Sequence, residues 1–203
     1  KNLKYIYAVR LVRELANQLM VFFLPIYYFG LHFPFMERFN LSTLHEGILN
    51  VALIYALTRL VSLLSAIPVA KILLKFGIRQ GFVLGHLCYA LFVLCLYLSK
   101  NNVYFILLAT LINGLQINLF WNSYFYSLSR HSDQNRIGAN LGIINFLLNL
   151  LAMISPALGG LIIFTLGYPT LFLVGLVVVL LGVVFSVLLD NVKIRDHISY
   201  KEF

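Results

Sequence analysis

The sequence predicts an all-α polytopic membrane protein, with six transmembrane helices in two inverted three-helix repeats. Three observations carry that prediction. The first is composition: 61% of the 203 residues are hydrophobic and 11% charged, with mean hydropathy +0.91. A water-soluble domain of this size has too little interior to hide so much apolar surface. The second is pattern. The apolar residues fall in continuous runs of roughly 20, the length of one helical crossing, without the alternation of barrel strands. In hydrocarbon only helices or closed barrels satisfy their backbone groups. The third is charge: Lys and Arg gather in alternate connections between the runs.

The first span is expected over about residues 5–30. Its early part is polar, with Arg10, Arg13, Glu14, Asn17 and Gln18, and the spacing puts Arg10, Glu14 and Asn17 on one face. Pro25 lies near its far end and is expected to kink it. No cleavage-site pattern precedes this run, so it reads as a mature span and not a signal peptide. Leu31 to Asn40 is a loop with Pro34, Glu37 and Arg38. Thr43-Leu-His-Glu46 has capping-box spacing and opens the second span, 46–71, with Arg59 near its centre and Pro68 near its end. A basic turn with Lys71, Lys75, Gly77 and Arg79 follows. The third span, 80–99, opens with Gly81-Phe-Val-Leu-Gly85, a pattern that lets helix backbones approach closely. Lys100, Asn101 and Asn102 form a tight turn. The fourth span, 103–128, carries Asn113, Gln116, Asn118 and Asn122. A polar loop over 129–136 leads to the fifth, 137–166, with Asn140, Asn145, Asn149 and Ser155-Pro-Ala-Leu-Gly-Gly160. After Gly167, Tyr168 and Pro169 the sixth runs over 170–189. The remainder, 190–203, is polar and leaves the membrane.

Six spans put both ends on one side. Twelve Lys and Arg then share that side: Lys1, Lys4, Arg10 and Arg13 in the N-terminal flank, Lys71, Lys75 and Arg79, Arg130 and Arg136, and Lys193, Arg195 and Lys201. Only Arg38 and Lys100 fall opposite, so the basic side is cytoplasmic, in a plasma (inner) membrane. The net charge of +8 is therefore a topology signal; no basic run has the density of a nucleic-acid groove. Gly77 and Gly167 are each followed eight residues later by glycine, Gly85 and Gly175, with Pro68 and Pro156 upstream. That echo is the one expected of two three-helix units of opposite topology.

These residues resemble the N-terminal half of a major facilitator superfamily transporter. Lys75-Phe-Gly77-Ile-Arg79 is similar to the loop between the family's second and third helices, Gly-x-Leu-Ala-Asp-Arg-x-Gly-Arg-Lys. Ala70 stands where the first glycine is usual, and Leu74 where the acidic residue is. Ser155-Pro156-Ala-Leu-Gly159-Gly160 is similar to the fifth-helix motif Gly-Pro-x-x-Gly-Gly. The fourth-helix arginine that usually precedes a glycine by four is absent, since Thr110 precedes Gly114. The resemblance implies alternating access around a cavity lined by the first and fourth helices, with Lys75, Gly77 and Arg79 as gate-loop candidates. It also implies a second six-helix half, in the same chain or as a dimer partner, with 190–203 as a tail or the start of a central linker.

Chemistry candidates follow. A mid-bilayer Arg59 costs about 2.5–3.5 kcal/mol on insertion scales and so wants a partner. Glu14, at similar depth, is expected to meet it, as a cavity pair or as a structural ion pair; pairing of Glu14 with Arg10 alone is the third arrangement. Asn17, Gln18, Asn113 and Gln116 are cavity candidates or interhelical glue, and Asn145 and Asn149 are expected as glue. Trp121, Tyr124 and Tyr126 read as an interfacial aromatic belt. Cys88 and Cys95 read as core residues, His131 with Asp133 as solvated loop. No catalytic motif, phosphate loop, zinc pattern or Arg ladder is found, so neither enzyme activity, cofactor nor metal is expected. The expected partners are membrane lipid, a small polar or amphipathic solute and a coupling proton or sodium ion. A scaffold or assembly subunit is the rival reading, and a lipid flippase of the same fold a third.

Overall fold

The computed structural model describes residues 2–39, 41–131 and 137–190. Lys1, Asp133, Arg136 and the stretch 191–203 lie outside the described residues, as do the side chains of Glu37, Arg38, His131 and Asn140. Within the described residues all regular structure is helical. The elements are α1 (Asn2–Val21), α2 (Leu24–Phe29), α3 (Thr43–Phe76), α4 (Ile78–Leu98), α5 (Phe105–His131), α6 (Ile137–Leu166) and α7 (Tyr168–Val187), with a 3-10 turn at Pro34–Phe39.

Five helices, α3 to α7, are long and apolar enough to cross a bilayer. α1 matches them in length but carries Lys4, Arg10, Arg13 and Glu14. Outward side chains are the physical signature of a lipid solvent. Leu63, Leu64, Ile67 and Phe164, the last 90% exposed, project from α3 and α6. Water would not tolerate such a surface, whereas acyl chains solvate it.

Pro25 explains the end of α1. It has no N–H to return to the Val21 carbonyl, so residues 22–23 form a turn before α2. The start of α3 differs from the capping-box expectation. Ser42 is the N-cap residue and Thr43 is already helical. Glu46 turns away from the cap and pairs with His32 at 2.8 Å, tying the α2–α3 connection to α3. Asn50 Nδ2 reinforces it by donating to the Leu31 carbonyl at 2.8 Å.

Two joints share one geometry. Gly77, between α3 and α4, has φ 93° and ψ 172°; Gly167, between α6 and α7, has φ 82° and ψ 171°. That backbone region is open essentially to glycine alone. Each of these glycines also donates its N–H to a carbonyl four residues back, Leu73 and Ile163, at 2.9 Å. The helices therefore reverse without an intervening loop.

α4 packs on α5 and α7, α3 on α5, and α1 on α7 and α6. α5 is bound to α3 by a polar clasp, in which Asn118 Nδ2 donates to the Ser62 carbonyl at 2.5 Å and to Ser65 Oγ at 2.9 Å. Such amide and hydroxyl pairs substitute for the hydrophobic drive that lipid removes. Asn145 and Asn149, expected as similar glue, are both exposed on α6. The face α6 buries carries Ile144, Ser155 and Gly159 instead.

Two clusters make up most of the core, beside a small third one of Val69, Leu73 and Leu119. One cluster holds Ala16, Met20, Tyr89, Val93, Ile112 and Val179; the other holds Val9, Phe82, Phe120 and Leu189. Between them along the chain lie buried Arg13 on α1, His86 on α4, Gln116 on α5 and Ser186 on α7. A polar layer thus interrupts the apolar bundle, near the middle of α1, α4 and α5 and at the end of α7.

Candidate functional site

That layer opens into a cavity of about 310 Å³ between α1, α3 and α5. α1 contributes Arg10, Arg13, Glu14 and Asn17, the i, i+3, i+4, i+7 positions of one face. α5 contributes Asn113, Gln116, Ile117 and Trp121, the i, i+3, i+4, i+8 positions of one face. α3 supplies Tyr55, Thr58 and Arg59, and Tyr28 of α2 with Tyr89 of α4 completes the wall. Arg59 is the seventeenth of the 34 residues of α3. Gln116 is the twelfth of the 27 in α5, a helix roughly 40 Å long. The site therefore sits near the midpoint of its helices.

Arg13 is the centre of the arrangement. Its side chain is 6% exposed, and Nη2 donates to Gln116 Oε1 at 3.2 Å. Gln116 Nε2 passes the chain on to Asn113 Oδ1 at 2.8 Å. The guanidinium lies over the Phe120 ring, 4.1 Å from its centroid. Phe120 is braced in turn by an edge contact with His86, centroids 5.5 Å apart. His86 Nδ1 donates to the Phe82 carbonyl at 3.0 Å and lies 3.2 Å from Ser186 Oγ. Gly182 makes room for that imidazole, because a Cβ there would overlap the ring.

Arg10 stands over Trp121 at 4.1 Å and pairs with Glu14 at 3.1 Å, both side chains 12% exposed. The other carboxylate oxygen of Glu14 accepts from Gln18 Nε2 at 3.0 Å and Asn17 Nδ2 at 3.4 Å. Of the three arrangements open to Glu14 in the sequence, the one formed is that with Arg10. Arg59 meets no carboxylate within 4.0 Å among the described residues. The reason is topological: α1 and α3 are not packed neighbours but face each other across the cavity. Gln18 does not reach the cavity wall and only supports Glu14.

Three sequence readings change here. Arg10 and Arg13 belong to the cavity and not to a topological flank. Trp121 is a cavity residue under Arg10, not part of an interfacial belt. Tyr28, Tyr55 and Tyr89, unmarked in the sequence, form much of the apolar wall. The helical-face rhythm 10, 13, 14, 17 and 113, 116, 117, 121 is the signal that marks Arg10, Arg13 and Trp121; the three tyrosines, on other helices, fall outside it.

The motif residues act elsewhere. Gly159 lies flush against α1: a Cβ there would come 2.5 Å from the Leu19 carbonyl oxygen and 2.8 Å from the Phe23 ring. Gly160 also faces the Phe23 ring, and Pro156 lies inside α6. The motif thus seats α6 against the end of α1, where the helix breaks. Lys75 is exposed at the α3 end, Gly77 forms the joint, and Arg79 follows half-buried in α4. Cys88 and Cys95 are free thiols on α4. No group of three or more His, Cys, Asp or Glu able to hold a metal occurs among the described residues.

No curated protein matches the chain. The family model for the Major Facilitator Superfamily matches residues 6–201, nearly its whole length. With several bilayer-length helices gathered around a polar, mid-length cavity, the match leaves a single assignment: the chain belongs to the major facilitator superfamily, as a multi-pass membrane transporter of that family.

Proposed function

We propose that the chain is a secondary active transporter that moves a small polar or amphipathic solute by alternating access, with this cavity as its share of the cargo site. One observation carries the reading. Arginines, amides and aromatic rings from α1, α3 and α5 converge on one space at mid-length, where a purely structural bundle would bury apolar side chains. Asn17 and Asn113 line that space, are half-buried and, among the described residues, bond only to side chains of their own helices, which leaves one end of each amide for a solute. In a scaffold the same amides would be consumed in dry contacts between helices, as Asn118 is.

The finer architecture in this proposal is six spans with both termini cytoplasmic, built as two inverted repeats. Support comes from setting α1, α3 and α4 against α5, α6 and α7. The α4–α5 contact then corresponds to α7–α1, α3–α5 to α6–α1, and α3–α4 to α6–α7. The matching joints at Gly77 and Gly167 obey the same correspondence. Gating through Lys75, Gly77 and Arg79 and coupling to a proton or sodium ion belong to the proposal as well. So does a second six-helix half, which would cover the exposed Asn145, Asn149 and Arg59; amides left facing lipid are costly.

The test is sidedness-resolved labelling. Asn17→Cys and Asn113→Cys are placed in a background lacking Cys88 and Cys95. Membrane-impermeant thiol reagent is then added to right-side-out and inverted vesicles. Alternating access is expected to label both positions from either side. Labelling from neither side would sink the carrier and favour the scaffold.

A further inference from the structure

The charges of the cavity go further than the transport reading on which this inference rests. We infer that the cargo is a small organic anion, a carboxylate or phosphate attached to an apolar or aromatic body.

Three guanidiniums, Arg10, Arg13 and Arg59, line the cavity with one carboxylate, Glu14. Glu14 is held by Arg10 at 3.1 Å, so two positive charges remain without a counter-ion among the described residues. Arg13 is the costly one. It is 6% exposed, yet its hydrogen bond is to a neutral amide and its Nε has no acceptor. The Phe120 face and Gln116 offset only part of the desolvation of a buried cation. Arg10, in contrast, is engaged through Nη1 by Glu14. Unused guanidinium N–H groups suit the planar, paired oxygens of a carboxylate or phosphate. Much of the rest of the wall is aromatic or aliphatic: Tyr28 and Tyr55, with centroids 6.2 Å apart, Tyr89 and Trp121, beside Leu24 and Ile54. Such a wall receives an apolar body and offers a bare cation no carboxylate that is not already engaged.

The chain has a single tryptophan, and it lines the cavity. Trp121 emission therefore reports occupancy directly. The full chain in phosphatidylcholine nanodiscs is titrated with benzoate, phenyl phosphate, benzyl alcohol, benzylammonium and inorganic phosphate. Saturable changes are expected from the two organic anions, with benzyl alcohol and benzylammonium silent and inorganic phosphate weaker. Arg59→Gln, at an exposed position that buries no orphaned group, is expected to weaken the anion response at least about tenfold. Arg59→Lys, which keeps the charge, retains most of it.

A response to benzylammonium or benzyl alcohol equal to the anions', no response to either organic anion, or an unchanged anion response in Arg59→Gln would overturn the inference. Inorganic phosphate matching phenyl phosphate would overturn the organic body. Phosphatidylglycerol nanodiscs that give the full change, leaving phenyl phosphate nothing to add, would assign the cavity to lipid headgroups and overturn a soluble cargo. Cysteine labelling at positions 17 and 113 separates the two levels: if it alternates while the anion titration stays flat, transport stands and the anion class falls.

Discussion

Replacing Gln116 with Glu adds one oxyanion where Arg13 already points. The substitution barely changes side-chain volume and keeps an acceptor facing Arg13, while Asn113 must turn its amide to donate where Gln116 Nε2 donated before. Two effects of opposite usefulness follow. The buried guanidinium gains a charged partner in place of a neutral one, and its own desolvation is already incurred in the parent protein. The expected gain is about 1–2 kcal/mol, a rise of roughly 2–8 °C in melting temperature for a chain of this size. An anionic solute, in contrast, meets a fixed negative charge. At about 5 Å and an effective dielectric near 20 the repulsion is about 3 kcal/mol, close to a hundredfold in affinity. The assays are a thermal melt of the purified protein and the Trp121 titration with phenyl phosphate. A protein that is stabilised yet blind to the anion is the expected result. Stabilisation with undiminished anion binding would refute the reasoning, because the excess charge at Arg13 would then have nothing to do with the cargo. Destabilisation would show that Gln116 and not an incoming anion is the partner Arg13 requires.

Other outcomes follow from the same geometry. Glu14→Gln removes the partner of Arg10 and is expected to cost about 1–3 kcal/mol, less than a fully buried pair, while raising anion affinity; a melt and the Trp121 titration read the two. Gly159→Leu forces a side chain onto the Leu19 carbonyl and the Phe23 ring. A loss of about 1–3 kcal/mol is expected, measured by unfolding in increasing dodecyl sulfate, and unchanged stability would mean α6 is not seated on α1. Gly77→Ala and Gly167→Ala each place a Cβ in a glycine-only region and are expected to cost about 1–3 kcal/mol. Similar penalties at the two joints fit the repeat, and a penalty at one joint alone would speak against it.

Much of the fold was legible because lipid simplifies the code. Apolar runs end where Gly, Pro, Asn and Lys begin, so α3 to α7 stand close to where the sequence puts them. The paired glycines at 77 and 167 were visible as punctuation, although their positive φ was not. Capping was misplaced by one residue, because Glu46 is drawn to His32, a partner no local pattern reveals. The site was legible only in part. Glu14, Asn17, Asn113 and Gln116 stand out as polar residues in apolar runs, and all four line the cavity. Arg10 and Arg13 lie so near the chain start that they resemble the basic flank of a span. Their true setting depends on α5, and the Arg13–Gln116 bond joins residues 103 apart. The Glu14–Arg59 pairing failed for a related reason: equal depth on consecutive helices does not make them neighbours when a cavity lies between.

The most direct measurement needs no mutation and no known cargo. Trp121 emission in nanodiscs is quenched with iodide, with caesium and with lipid-borne bromine. A positively charged, water-filled cavity between α1, α3 and α5 should admit iodide readily, exclude caesium and leave Trp121 shielded from brominated acyl chains. Quenching by brominated lipid with neither aqueous ion effective would put the indole against the bilayer, and the cavity account would be contradicted.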